Sequence, residues 1–172
     1  MKSIIKLFDL LSGVVYVCIL CFLLIAAPLV LGHHPVIVLS GSMEPTYKVG
    51  SIIYYKDTPY ENIEVGDPIT FHGEDSDVLV THRVVEKLEA ERAFGTEGDA
   101  NGSRDPGNVS YENVVGKATQ FCIPYAGYFV NFGRQPAAIA AMVAILLLGM
   151  LADRLCKEEE KEQKTGHQEE RR

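Results

Sequence analysis

Val78-Leu-Val-Thr-His-Arg-Val-Val85 holds five β-branched residues in eight and follows a cluster of Gly and Asp. Such a run, bounded by turn formers, reads as a β-strand. Working outward, Val36-Ile-Val-Leu39, Ile52-Ile-Tyr-Tyr55, Ile69-Thr-Phe71 and residues 114–121 have the same character, with Gly, Asp, Asn and Pro between them. Short strands at this spacing predict a mainly β fold, a small antiparallel barrel or coiled sheet. Lys48-Val-Gly-Ser-Ile-Ile-Tyr54 and Glu64-Val-Gly-Asp-Pro-Ile-Thr70 echo one another, each a glycine turn feeding a strand. Two copies are too few for a solenoid, so this is repeated turn chemistry. Pro68 cannot donate to a ladder, so its strand begins there or runs at an edge.

The β middle lies between two apolar ends. The chain has 172 residues, 47% hydrophobic and 23% charged, which allows one modest domain and excludes a large multidomain machine. Residues 10–32 carry no Asp, Glu, Lys or Arg. As a helix rising ~1.5 Å per residue they reach roughly 35 Å, enough to cross a hydrocarbon core of about 30 Å. A cleaved signal peptide is the rival reading, since Lys2 and Lys6 precede the run and Ala26-Ala27 sits near its end. The run is too long for an ordinary signal core, and Pro28 follows the small residues directly. Residues 135–152 are also uncharged and reach about 27 Å as a helix, a second span whose alanine-rich face suits packing in lipid. The alternative for that segment is a buried core helix.

Lys2 and Lys6 flank the first span on one side, whereas no Lys or Arg follows it until Lys48. This asymmetry places the N-terminus in the cytoplasm. A second span returns the tail there, with Arg154, Lys157, Lys161, Lys164, Arg171 and Arg172. The organisation expected is therefore a cytoplasmic N-terminus at 1–9, a transmembrane helix at 10–32, an extracytoplasmic β domain at 33–134, a transmembrane helix at 135–152 and a charged cytoplasmic tail at 153–172. The middle has 15 acidic and 8 basic residues, a balance of −7 that argues against nucleic acid as a partner. Glutamates interleaved with lysines make the tail a solvated helix extension or a disordered end. Tyr125, Tyr128, Phe129 and Phe132 precede the second span, where aromatics sit at headgroup level and hold a domain against lipid.

Cys18 and Cys21 lie in the first span and Cys156 beyond the second, which leaves Cys122 alone in the middle and precludes a disulfide framework there. Cys18 and Cys21 have metal-knuckle spacing, but an apolar helix without other ligand types favours packing. His33 and His34, beside Pro35 at the membrane boundary, read as interfacial residues; no metal or cofactor is expected.

Three segments can carry chemistry. Ser40-Gly-Ser-Met-Glu-Pro45 follows an apolar strand a few residues beyond the membrane exit, where a serine can act as a nucleophile; its bland alternative is a Ser/Gly turn. It lacks the Gly-x-Ser-x-Gly elbow of α/β-hydrolases. His82 interrupts a β-branched strand, although a lone strand histidine is commonly structural. Glu97-Gly-Asp-Ala-Asn-Gly-Ser-Arg-Asp-Pro106 is rich enough in turn formers to be a surface connection or a calcium-like acidic loop, but lacks the carboxylate an EF-hand carries at its twelfth position. Together a serine, a histidine and a carboxylate supply nucleophile, base and orienting group for acyl transfer.

At these residues the chain resembles the type I signal peptidases, in particular the archaeal and endoplasmic-reticulum branch, in which histidine stands where bacterial enzymes have lysine. Residues 40–45 match the nucleophile box, so the resemblance makes Ser42 the catalytic serine. His82-Arg83-Val84 falls on the box read Lys-Arg-Val in bacterial members, and His82 inherits the general-base role. Gly98-Asp99-Ala100-Asn101 with Asp105 resembles the Gly-Asp-Asn box and its downstream aspartate, making Asp105 the third catalytic member and Asp99 a supporting acid. Ala100 replaces an asparagine common in the endoplasmic-reticulum members, and Arg104 an acidic neighbour found in some of them. By the same resemblance Ser40 and the Ser42 N–H form an oxyanion hole. The implied activity is removal of signal peptides from exported preproteins at the outer face of a plasma or endoplasmic-reticulum membrane, with lipid and the translocation machinery as partners. Two rivals stand beside it. One is a noncatalytic membrane-tethered peptide-binding module of the same fold; the other, a Ser-Lys self-cleaving protease, would need a lysine at position 82.

Overall fold

The computed structural model describes residues 2–73 and 78–169. Arg171 and Arg172, among the tail cations, lie outside the described residues. The chain divides into two compact units, residues 1–23 with 132–172, and residues 24–131.

Helix α1 spans Lys2–Ala26 and gives way to a 3-10 turn over Ala27–Leu31. Pro28 explains the change: it lacks an N–H and clashes with a preceding α turn, but fits the first positions of a new short helix. Gly32, at φ +77°, then ends the helical run. The stretch long and apolar enough to cross a membrane is Lys6–Leu31, four residues earlier at its start than the expected 10–32. A second such stretch, Pro136–Leu155, opens helix α3, which runs over Pro136–Glu169. Its helical continuation to Glu169 extends through most of the charged tail. In this first unit the helices approach closely at small residues: a Cβ on Gly149 would lie 2.8 Å from the Ser12 hydroxyl, and one on Gly133 only 2.1 Å from the Phe22 ring. Those two approaches run the segment from Gly133 to Gly149 antiparallel to α1, in the small-residue packing that suits lipid.

The second unit carries seven antiparallel strands among the described residues: β1 (His34–Ile37), β2 (Ile52–Lys56), β3 (Pro68–His72), β4 (Leu79–Leu88), β5 (Ala93–Glu97), β6 (Val109–Ser110) and β7 (Val114–Ile123). They form one sheet of order β1-β2-β7-β3-β4-β5-β6, curled into a half-barrel. The echoed turns both carry a left-handed glycine, Gly50 at φ +81° before β2 and Gly66 at φ +97° before β3. β3 begins at Pro68 although it is interior to the sheet, so the missing N–H falls at the strand's first residue. β5 escapes sequence reading because Gly95 weakens its pattern; its extended state comes from pairing with β4, and Arg104 packs where a Cβ on Gly95 would stand.

Alternation puts Ile69 and Phe71 of β3, Val84 of β4 and Phe94 of β5 into one apolar cluster with Tyr60 and Ile63. Met43, Tyr47, Ile53 and Ala118 make a second. Tyr54 ties the sheet to the end of α1, its hydroxyl donating to the Ile25 carbonyl at 2.9 Å. Helix α2 (Ala126–Gly133) follows β7 and bears Tyr128, Phe129 and Phe132; Tyr128 and Tyr125, which just precedes the helix, are well exposed.

Candidate active site

Among the described residues, two unpaired strand edges line the cleft. β1 ends the sheet, and residues 79–82 of β4 extend beyond its pairing with β5, which starts at Arg83. Residues 36–40, 42 and 43 and residues 78–82 line one cavity of about 610 Å³, so the curl brings these edges together although they are far apart in strand order. Ser40, Ser42 and His82 are among its lining residues.

Ser42 sits in a turn closed by Glu44 N–H to the Gly41 carbonyl and Tyr47 N–H to the Met43 carbonyl. The turn is anchored because Met43 and Tyr47 are buried in the second cluster. The Tyr47 hydroxyl donates to the Thr119 carbonyl of β7 at 2.8 Å, and burial pushes its pKa up to about 12. It therefore acts as a neutral donor at neutral pH. The Ser40 and Ser42 hydroxyls lie 3.4 Å apart.

The expected base and acids fall into two distinct groups. His82 Nδ1 meets Asp105 Oδ2 at 2.5 Å, and the same oxygen accepts from the Thr96 hydroxyl at 2.8 Å. Phe71 lies edge-on to the imidazole. Asp99 faces elsewhere: its carboxylate takes Nε and Nη2 of Arg83, each at 2.6 Å, and the Thr46 hydroxyl at 2.5 Å. Arg83 holds the Asp99 pKa below the usual carboxylate value, against the opposing effect of burial and with help from Thr46. Arg83 also donates to the Gly66 carbonyl at 2.7 Å. The Ala100 N–H donates to the Ser42 carbonyl at 2.8 Å, and Gly98 approaches so closely that a Cβ there would lie 2.6 Å from the same oxygen. The 98–101 loop is thus fitted directly against the backbone of Ser42.

Thr46, Tyr47 and Thr96 were not singled out from sequence, and Arg83 entered only as part of a motif. Nothing local marks Thr96. The only signals for Thr46 and Tyr47 are their places just after the Ser-Gly-Ser segment. Among the described residues no group of three His, Cys, Asp or Glu could hold a metal.

A cleft between free strand edges that holds a serine hydroxyl and a carboxylate-bound imidazole, in a chain with two apolar helices, defines a class: a membrane-bound serine peptidase. No family model matches the chain. It is 36% identical over 130 residues to signal peptidase I W of Bacillus subtilis, covering 67% of this chain and 68% of that protein. It is also 32% identical over 122 residues to the signal peptidase complex catalytic subunit SEC11C of Rattus norvegicus, of whose length it spans 63%. To SEC11 of Pyricularia oryzae it is 26% identical over 130 residues, 69% of this chain and 75% of that protein. The chain belongs to the type I signal peptidase family.

Asp99→Asn leaves Arg83 facing a neutral amide. With side chains 14% and 28% exposed, the pair falls between surface and buried limits, so the loss is about 2 kcal/mol, or roughly 10 °C in melting midpoint for a domain of this size. Because the Asp99 pKa is lowered on folding, its contribution is complete above the ordinary carboxylate value and fades as pH falls through the folded one. Thermal melts of parent and variant in one detergent should differ at pH 7 and converge in acid; a gap independent of pH would contradict this account.

Proposed function

We propose that this chain is a membrane-bound serine endopeptidase that removes N-terminal signal peptides from exported preproteins, with Ser42 as nucleophile, His82 as general base and Asp105 as the acid that orients it. The observation carrying this reading is the bond from His82 Nδ1 to Asp105, at the rim of the cleft that holds Ser42. With Nδ1–H donated to a carboxylate, the neutral imidazole keeps its Nε2 lone pair for the serine proton.

A signal peptide would enter as an extended strand, hydrogen-bonding to the edges at 36–40 and 79–82. The apolar lining contributed by Val36, Val38 and Val80 favours small uncharged side chains next to the scissile bond. Ser42 Oγ attacks the carbonyl as Nε2 takes its proton, while the Ser42 N–H and the Ser40 hydroxyl stabilise the oxyanion. The imidazolium returns that proton to the leaving amine, which departs as the new N-terminus of the mature protein. Water, deprotonated by His82, then hydrolyses the acyl-serine and frees the signal peptide. Asp99 supports the machinery by tying the Thr46 segment to Arg83, next to the base in sequence.

The β domain works on the extracytoplasmic face, of a plasma or endoplasmic-reticulum membrane, and the translocation machinery delivers its substrates. The antiparallel approach of the helices within the first unit supports a hairpin with both chain ends in the cytoplasm, and the lysines at the N-terminus favour the same orientation. Anchoring keeps the site near the plane where a translocated signal peptide ends its own helix, turning substrate search from three dimensions toward two.

In purified, detergent-solubilised protein, Ser42→Ala and His82→Ala should each abolish preprotein cleavage, and their combination should be no worse than either alone. Asp105→Asn should lose roughly 10³- to 10⁴-fold in turnover while keeping its melting midpoint. Cleavage at the parental rate by Ser42→Ala would leave a noncatalytic peptide-binding module as the better reading. An active Asp105→Asn beside a folded, inactive Asp99→Asn would exchange the roles of the acids. For topology, a tag placed after residue 172 should resist protease added to intact cells and be cut in inverted vesicles; the opposite pattern would mean that the second apolar segment does not span.

A further inference from the structure

Thr96 occupies an apolar position. It is 1% exposed, lies directly across from Val84 on β4, and shares a face of β5 with fully buried Phe94. Valine would match its shape here, so the hydroxyl is what distinguishes it. The sheet's other fully buried threonine, Thr70, shares a hydrogen bond with the Thr81 hydroxyl at 2.9 Å. Thr96 instead donates to the one carboxylate oxygen that also meets His82. Its carbonyl, in turn, accepts the Asp105 N–H at 2.8 Å.

We propose that Thr96 is a positioning residue: it clamps Asp105 through main chain and side chain together, so that Oδ2 stays in line with His82 Nδ1. This inference rests on the reading of Ser42, His82 and Asp105 as the reacting group. The need for a clamp follows from where Asp105 stands. It is carried by a loop rich in Gly, Ser and Asn, and its side chain is 21% exposed. A cavity of about 220 Å³, lined in part by His82, Thr96 and Asp105, opens onto the pair. Water there can compete for the carboxylate and let it turn about its own torsions. A main-chain bond to Thr96 fixes only the Cα of Asp105. The hydroxyl adds a second point on the carboxylate itself and removes the rotation that would carry Oδ2 away from the ring. Because the hydroxyl comes from a buried β-strand, it is itself held by packing.

The test compares parent, Thr96→Val, Thr96→Ser and Ser42→Ala, each full length in the same detergent, with a preprotein substrate and with low-field proton NMR of the His82 ring N–H. The expected result for Thr96→Val is roughly a tenfold fall in kcat with KM unchanged, as for loss of one well-placed hydrogen bond. It should also show a displaced or broadened ring N–H signal. Thr96→Ser, which restores a donor at the same place, should recover most of kcat and return the signal. Should Thr96→Val fold poorly, Thr96→Ala carries the same comparison. A valine variant with parental kcat and an unmoved signal would overturn the proposal, as would a loss that serine does not repair. Preprotein cleavage surviving Ser42→Ala would instead overturn the catalytic reading. The ring N–H signal would still judge Thr96: displacement in the valine variant upholds the clamp on the His82–Asp105 pair, and no displacement refutes it.

Discussion

The Asp99 carboxylate accepts from three donor groups on two separate parts of the chain: the Thr46 hydroxyl, just after the serine turn, and two nitrogens of Arg83 on β4. Much else in the site depends on that junction. The serine turn follows β1, at one end of the sheet order, whereas His82 lies on β4, four places along. No strand pairing joins the two, because β1 bonds only to β2 and β4 only to β3 and β5. Curling brings them near one another; Asp99 fastens them, and the adjoining Ala100 N–H takes hold of the Ser42 carbonyl. A bidentate guanidinium suits this task, since its planar fork fixes direction as well as distance.

The two aspartates of one short loop thus have different surroundings and different work. Asp99 is matched to a permanent cation, which holds it ionised and makes it a structural tie. Asp105 meets the neutral-or-charged imidazole of His82, and the same carboxylate oxygen also takes a neutral hydroxyl from Thr96. A second arginine on Asp105 would compete with the imidazole for the carboxylate. The neutral donor orients it without that competition.

Membrane attachment follows a similar economy. The first apolar stretch passes through a proline-started 3-10 turn straight into β1, with two residues between Leu31 and the start of strand register at His34. The Tyr54 hydroxyl bonds the end of that helix to β2, so the passage from helix to sheet is fastened on both sides.

Much of this was legible in the residues themselves. Short β-branched and aromatic runs between turn formers marked five strands, and a lack of charge marked two spans, because composition and hydropathy are local properties. The Ser-Gly-Ser, His-Arg-Val and Gly-Asp segments also stood out, each being unusual for its setting: a histidine among valines, a serine turn at a membrane exit. The division between the two acids could not be read in this way. Asp99 and Asp105 stand six residues apart in a polar loop, and either could reach a histidine by spacing alone. Arg83 captures one of them only because β4 turns its side chain away from that of His82, alternate residues facing opposite sides of the sheet. Thr96 was equally invisible, since a threonine in a strand carries no mark until β4–β5 register and the returning loop give its hydroxyl a partner. By itself the sequence determined the kinds of elements and the chemical groups available. Local pattern left the two acids alike, and only the family resemblance favoured Asp105; the tertiary structure decided what holds each acid, because those contacts join residues whose proximity comes from sheet curl and loop return.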